Sequence, residues 1–398
     1  MSLPPSTATP EALPPEALAR VIAWRRHLHR HPEPSFGELQ TAAFVRRTLE
    51  DLGGGPRQLT PNSVTLDIGE GGPVVALRAD MDALPILEET GLEFASQNPG
   101  FMHACGHDAH TAMLLGAAEC LLRRPPAHGR VRLIFQHAEE IQPGGAQELV
   151  RLGVLEDVRA IVGLHVWAPL EAGTLAVHTG PAMASNDAFT LTVRGRGGHA
   201  ALPHQATDVI AAAAQVVVNL QQAAARALDP LEPAVISVTQ FNGGHSYNVL
   251  PDAAVLRGTA RAFSPALRAT LPELIERVAR SVAAAHGAEV ELEYQHGFAP
   301  VINDPGVVAR VLEAARRVPG LRVRQDWPPC MASEDFSAYQ AAVPGAFVFL
   351  GVGGAGYAPH HHPRFVLEEG ALGGGVRLLE EAARELLTQV AAGTGQEG

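Results

Sequence analysis

Four short segments carry the residues best suited to chemistry: Cys105-Gly106-His107-Asp108, Glu139-Glu140, Gly163-Leu164-His165 and His361-His362-Pro363. Together they offer a thiolate, imidazoles and carboxylates. These donor types hold one or two divalent ions, with a carboxylate to spare for moving the proton of a water, which is the equipment of metal-assisted hydrolysis. Each segment alone is weak. A Cys-x-His before a helix is also an ordinary loop beside a cap, and His103 and His110 crowd the same stretch. Adjacent glutamates usually mark a solvated turn. A lone histidine after an apolar run is more often a satisfied core side chain than a ligand. The run His360-His361-His362 also fits a surface tract that scavenges metal.

A second group follows. In Gly195-Arg196-Gly197-Gly198-His199 the glycines permit a tight turn with His199 at its tip, from which it could donate a hydrogen bond to a developing oxyanion. Asn248 and Arg261 could bind a substrate carboxylate, arginine through its bidentate fork. An ordinary strand–helix loop with an exposed histidine is the plainer reading of the His199 segment.

The elements that must position these residues can be read from periodicity. Helices are predicted over 15–30, 37–52 and 107–122, and strands over 63–68, 74–79, 131–135 and 160–164. Asp80, Glu139, Glu140 and His165 then fall at predicted strand C-termini, the rim where α/β sheets bind ligands. Side chains alternate along a strand, so two adjacent glutamates there would serve different jobs. From 187 to 294 the pattern becomes strand, helix, strand, strand, helix, strand, the ferredoxin-like order. Helices near 305–318 and 369–390 and a strand over 346–350 then resume the first pattern. The expectation is an α/β domain, residues 1–184 and 297–398, interrupted by a ferredoxin-like domain over 185–296.

Composition narrows the class. With 18% charged and 46% hydrophobic residues the chain of 398 is globular, and its net charge of -12 argues against nucleic acid as a partner. Cys105, Cys120 and Cys330 cannot all pair, which fits a reducing cytoplasm; Cys120 reads as a buried small hydrophobe, and Cys330 has no assigned role. Met1 to Pro15 lacks the basic and apolar regions of a signal peptide and reads as a loose arm, and Ala391 to Gly398 as a frayed tail. No apolar run is long enough for a membrane span. There is no Gly-x-x-x-x-Gly-Lys-Ser/Thr loop, His-Glu-x-x-His or Gly-x-Ser-x-Gly elbow, and the glycines of 351–356 lack a dinucleotide site's spacing.

Taken together these segments resemble the metal-dependent aminoacylase/carboxypeptidase family. Its nearest branch is that of hippurate hydrolases, N-acyl-amino-acid amidohydrolases and auxin-conjugate hydrolases. The resemblance runs from about Ala23 to Leu387. It rests also on His27-Leu28-His29-Arg30-His31-Pro32-Glu33, on Arg78-Ala79-Asp80-Met81-Asp82-Ala83-Leu84-Pro85, on Met102-His103-Ala104 before Cys105, and on Ser333-Glu334-Asp335-Phe336.

The resemblance implies that Cys105, His107, Glu140, His165 and one histidine of the last segment hold metal. The family's His-x-Pro register selects His361, with His360 and His362 as alternatives. It implies that Glu139 is the general base and acid, that Asp80 orients a ligand, that Asn248 and Arg261 hold the substrate carboxylate, and that His199 reaches the partner subunit's site. The implied fold is a zinc-peptidase-like α/β/α catalytic domain with a ferredoxin-like lid and dimerisation domain, in a homodimer or higher homo-oligomer. Carboxypeptidase relatives carry His-x-Asp where this chain has Arg78-Ala79-Asp80, with Cys105 in the next motif. A thiolate favours softer or borderline ions, so zinc, manganese, cobalt and nickel stay open, as does one ion or two. The implied activity is a cytoplasmic amidohydrolase cutting N-acyl or N-aroyl amino acids into a carboxylic acid and a free amino acid. A carboxypeptidase or dipeptidase on the same centre is the alternative. A non-catalytic binding protein would be favoured by a missing ligand or base, and none is missing.

Overall fold

A computed structural model describes residues 11–393. Most of the expected N-terminal arm, and the expected tail beyond Gly393, lie outside the described residues. The chain divides into two compact units. One takes the chain up to Gly180, then Ile302–Pro328 and the part from Asp335 onward; the other is Pro181–Val301 with Pro329–Glu334.

In chain order the elements begin with α1 (Pro15–Arg30), α2 (Leu39–Asp51), β1 (Val64–Glu70), β2 (Val74–Asp80), α3 (His107–Arg123), β3 (Gly129–Gln136), α4 (Gly145–Arg151), β4 (Val158–Glu171) and β5 (Thr174–Ala176). Next come β6 (Gly180–Met183), β7 (Asp187–Arg194), β8 (Gly198–His199), α5 (Val209–Arg226), β9 (Ala234–Gly243), β10 (Val249–Leu250), β11 (Ala253–Ala262), α6 (Pro265–Ala285) and β12 (Glu289–Gln295). The chain ends through β13 (Val301–Asn303), α7 (Pro305–Arg316), β14 (Arg322–Arg324), α8 (Ser337–Gln340), β15 (Gly345–Gly353) and α9 (Leu372–Gly393).

The first unit is built on a seven-stranded sheet in the order β1-β3-β2-β4-β15-β5-β14. Its central strands β3, β2, β4 and β15 run parallel, and β1 lies antiparallel at one edge. Parallel strands covered on both faces are apolar throughout, and every residue of β2 is buried. Helix α3 is buried almost all round, as a central core helix must be. Helix α1 buries Ala17, Val21, Arg25, Leu28 and His29, one face at helical spacing. Two polar side chains on that face need internal partners.

The second unit holds a four-stranded antiparallel sheet in the order β12-β7-β11-β9, the ferredoxin-like arrangement. Helix α5 buries Val209, Ala212, Ala213, Val216 and Leu220 against Leu191, Val193 and Leu256. Its first turn is capped by Asp208, which accepts from the Ala211 amide at 3.0 Å. Ser264 caps α6 in the same way, ahead of Pro265 at the first helical position. Among the described residues no helix is long and apolar enough to cross a membrane.

Two sequence expectations are corrected. His165 does not end its strand. β15 pairs alongside with Phe349 opposite His165 and Leu350 opposite Val166, so β4 continues to Glu171. Strand β3 stops at Gln136, so Glu139 and Glu140 lie in the loop beyond it and strand alternation does not govern them. Elements α4, α8, β5, β6, β8, β10, β13 and β14 are too short to show a period and escape sequence reading.

Gly163 shows how tightly the sheet holds the His165 strand. A Cβ there would lie 2.6 Å from Phe347 and 2.8 Å from Phe336, both buried rings. Gly163→Ala is therefore expected to cost about 1–3 kcal/mol through overpacking, read as a lower midpoint in denaturant unfolding. An unchanged midpoint would contradict this packing.

Candidate metal centre

Gly106 makes the first part of the site. Its φ of +90° suits glycine, and a Cβ there would sit 2.4 Å from Val166. The turn sets Cys105 just before α3 and His107 on its first residue. His107 Nδ1 lies 2.9 Å from the Asp82 carbonyl and 3.2 Å from Asp82 Oδ1, so it donates and leaves Nε2 with a lone pair. That Nε2 is buried without a hydrogen-bond partner, and Glu140 Oε1, also buried, lies 3.8 Å away. His165 Nδ1 donates to the Val166 carbonyl at 2.5 Å, while its Nε2 is 3.4 Å from Cys105 Sγ. His361 Nε2 lies 3.2 Å from Glu140 Oε1.

These donors fall into overlapping groups: Cys105, His107 and His165; Cys105, Glu140 and His361; and His107, Glu139 and Glu140, with all ligand atoms of a group within 4.8 Å. The shared members join them into one cluster. Buried polar atoms without partners are costly, and a lone-pair nitrogen facing a carboxylate oxygen is the arrangement a divalent cation satisfies. The residues present fit such an ion.

The geometry separates the three histidines. His360 is tied down, its Nε2 accepting from the Ala168 amide at 3.0 Å and its ring beside Trp167 and Phe365. His362 Nδ1 accepts from the Arg364 amide in its own turn. His361 alone approaches Glu140. Its φ of +63° is left-handed, and its amide donates to the Ala104 carbonyl next to Cys105.

Charge in the cluster is unevenly held. Burial alone would lower the His107 pKa, but the Asp80 and Cys105 charges raise it well above the ordinary imidazole value. Burial works against Asp80, yet His107, Arg78 and His110 hold it well below the usual carboxylate range. Burial, helped by Glu140, pushes the Cys105 thiol up, a sign that a bound cation inverts. His165 is pushed well down by burial and by His110 and His360 and stays neutral, whereas His107 and His361 would have to release a proton when a cation binds. Hydrogen bonds to Cys105 and Glu140 raise His361 to about 10.

Asp80 bonds Arg78 at 2.7 Å and His110 Nδ1 at 2.6 Å, and its Oδ2 stands 3.8 Å from His107 Nε2. The carboxylate that meets His107 Nδ1 is Asp82, which sequence reading passed over. Its place two residues after Asp80 was the available signal. Glu139 is 6% exposed, and its Oε1 accepts from the Asp335 amide at 3.4 Å. His199, Asn248 and Arg261 belong to the second unit. There β8 pairs His199 with Val249 of β10, next to Asn248, whose carbonyl accepts from the Ala200 amide. Both side chains are exposed. Arg261 is half-buried on β11 and donates to the Met331 carbonyl at 3.1 Å.

Fold and site define a hydrolase of the α/β metallopeptidase class. The chain matches Peptidase family M20/M25/M40 over residues 76–385 and belongs to that family. It is 50% identical over 310 residues to the N-acyl-L-amino acid amidohydrolase of Geobacillus stearothermophilus, covering 76% of this chain and 84% of the relative. It is 43% identical over 358 residues to the N-acetylcysteine deacetylase of Bacillus subtilis, covering 89% and 93%. The crystal structure of the Bacillus subtilis YXEP protein, described as a dinuclear metal binding peptidase from the M20 family, superposes with a TM-score of 0.84 at 40% identity, covering 94% of this chain and 99% of that one.

His361→Ala is expected to weaken binding of Mn²⁺ or Zn²⁺ by at least about tenfold, by comparison with losses on removing outer partners, while His360→Ala changes it by less than about threefold. Metal titration of the stripped protein reads both. Equal losses would contradict the distinction drawn between the two histidines.

Proposed function

We propose that this protein is a metal-dependent amidohydrolase that cleaves N-acyl amino acids into a carboxylic acid and a free amino acid. The observation that carries the reading is the grouping of Glu139 with His107 and Glu140 in a largely buried cluster that also holds Cys105, His165 and the exposed His361. The names of the two relatives support the same chemistry.

Cys105, His107, Glu140, His165 and His361 would hold one or two divalent ions. Zinc, manganese, cobalt and nickel suit a set containing a thiolate. When bound, the metal supplies polarisation of the amide carbonyl and a lowered water pKa. Glu139 takes the proton from the attacking water and passes it to the leaving nitrogen, which makes the amine a good leaving group. Asp82 keeps His107 in the tautomer that presents Nε2, and Asp80 does the same for His110. His199 is assigned the oxyanion hydrogen bond, and Asn248 and Arg261 the substrate carboxylate. Residues 1–184 and 297–398 are assigned the catalytic role and 185–296 that of a lid and dimerisation surface. The working form in this reading is a cytoplasmic homodimer or higher homo-oligomer.

Two assays test the reading. Stripped protein reloaded with Mn²⁺ or Zn²⁺ should release amino acid from N-acetyl-methionine or hippurate faster than from dipeptides. A preference for dipeptides would favour the peptidase on the same centre. Glu139→Gln should lose about 10²–10⁴ in turnover while binding metal as the parent does. A variant that turns over normally would remove Glu139 from the mechanism.

A further inference from the structure

Glu38 stands at the start of α2, a hundred residues before the Glu139-Glu140 pair, and is fully buried. One of its oxygens, Oε1, accepts from two backbone amides, Ala138 at 2.7 Å and Phe36 at 3.1 Å. The other, Oε2, accepts from Asn62 Nδ2 at 3.0 Å. Thr60 donates to Asn62 Oδ1 at 3.0 Å, which fixes the amide so that its nitrogen faces Glu38.

The two amides held by Oε1 belong to unusual residues. Phe36 has φ of +64° and Ala138 has φ of +50°, both left-handed and neither a glycine. Such conformations persist only where the surroundings over-determine them, and they gather at functional sites. Ala138 directly precedes Glu139. Its carbonyl accepts from the Gly145 amide at 2.9 Å, and no side chain fits at 145, because a Cβ would lie 2.0 Å from the His137 carbonyl oxygen. The Glu140 amide in turn donates to Asp82 Oδ2 at 3.0 Å. The loop is therefore pinned on both sides of Glu139, by Glu38 behind and Asp82 ahead. Burial and the Asp82 charge push the Glu38 carboxyl up to about 7, against the hydrogen bonds from Ala138 and Asn62 that favour its charged form.

We infer that Glu38 is a positioning residue: its carboxylate clamps Ala138 in the left-handed conformation and thereby sets the directions of Glu139 and Glu140. This rests on the amidohydrolase reading only for what the pair does. Glu38 acts through the peptide group and not on the substrate. Without its carboxylate the Ala138 amide is left buried and unpaired, the residue relaxes, and Glu139 turns away from the water it should deprotonate.

The test compares wild type, Glu38→Ala, Glu38→Gln and the double variant Glu38→Ala with Ala138→Gly, all loaded with Mn²⁺. The readouts are kcat and KM on N-acetyl-methionine, Mn²⁺ affinity, and hydrogen exchange at the Ala138 amide. Glu38→Ala should lower kcat about 10–100-fold, the range seen when outer partners of a metal site are removed, with KM changed less than about threefold and faster exchange at Ala138. Glu38→Gln keeps an oxygen for the Ala138 amide and should recover most of kcat. The double variant should recover part of it, because glycine adopts the left-handed region freely. If Glu38→Ala does not fold, Glu38→Asp reads the same quantities, since it keeps the charge but withdraws it by one methylene. The inference is overturned if the folded, metal-loaded variant keeps wild-type kcat and exchange, or if Glu38→Gln is as impaired as Glu38→Ala. A wild type that holds metal but releases no amino acid would instead defeat the amidohydrolase reading, and exchange at Ala138 would still judge the clamp.

Discussion

Buried charge is the constraint around which the first unit is arranged. Glu38, Asp80, Asp82, Asp108 and Asp335 are each no more than 1% exposed. An ionised carboxylate so deep is tolerated only with close donors or a counter-charge. Asp108 takes Arg25 Nε and His29 Nδ1, both at 2.8 Å, and so fastens α1 to the first turn of α3. Asp335 takes Arg78, Gln136 and the Ala146 amide, which ties the segment before α8 to β2, β3 and the start of α4. Asp82 takes Ser35, the Glu140 amide and His107. Each acid is placed by elements far apart in the chain, and the same bonds place the donor cluster.

When those partners are assigned, His107 Nε2 is among the buried atoms left with no hydrogen bond, and Glu140 Oε1 has His361 Nε2 at 3.2 Å. His107 Nε2 and Glu140 Oε1 face each other, beside a thiol and two further imidazoles. The network that stabilises the unit therefore also fixes the tautomers and directions of the donors, which is the preorganisation a metal centre needs. The rigid strands β2 and β4 and the core helix α3 carry Asp80, His165 and His107. The loops carry Glu139, Glu140 and His361, with left-handed residues at Ala138 and His361. Strain is concentrated where chemistry is assigned, and hydrogen bonds from the two backbone amides, to the Glu38 carboxylate and to the Ala104 carbonyl, restrain it.

Long periodic segments made the α/β and ferredoxin-like architecture readable from the sequence. Helix α1 is found over Pro15–Arg30, as its apolar spacing predicts. The donor residues were readable too, because thiol, imidazole and carboxylate types are rare enough to stand out in short segments. The parts that were not readable depend on contacts distant in sequence. Nothing near Glu38 marks it as a partner of Ala138, and Arg25 looks like any charged residue of an amphipathic helix. His165 was assigned to a strand end because its apolar run stops there. Pairing with β15, nearly two hundred residues later, carries the strand onward. Among His360, His361 and His362 the sequence offers three similar side chains, and they are told apart by contacts: the Ala168 amide holds His360, the Arg364 amide holds His362, and His361 approaches Glu140.

Everything in the site turns on a metal centre that includes the Cys105 thiolate. Its most direct test is optical. Stripped protein is titrated with Co²⁺ while the near-ultraviolet thiolate-to-cobalt charge-transfer absorption is recorded for wild type and for Cys105→Ser. The band should grow to saturation in the wild type and be absent in the variant, with Cys120 and Cys330 unable to replace it. Cobalt bound without that band, or a band that survives Cys105→Ser, would contradict a metal centre that includes Cys105.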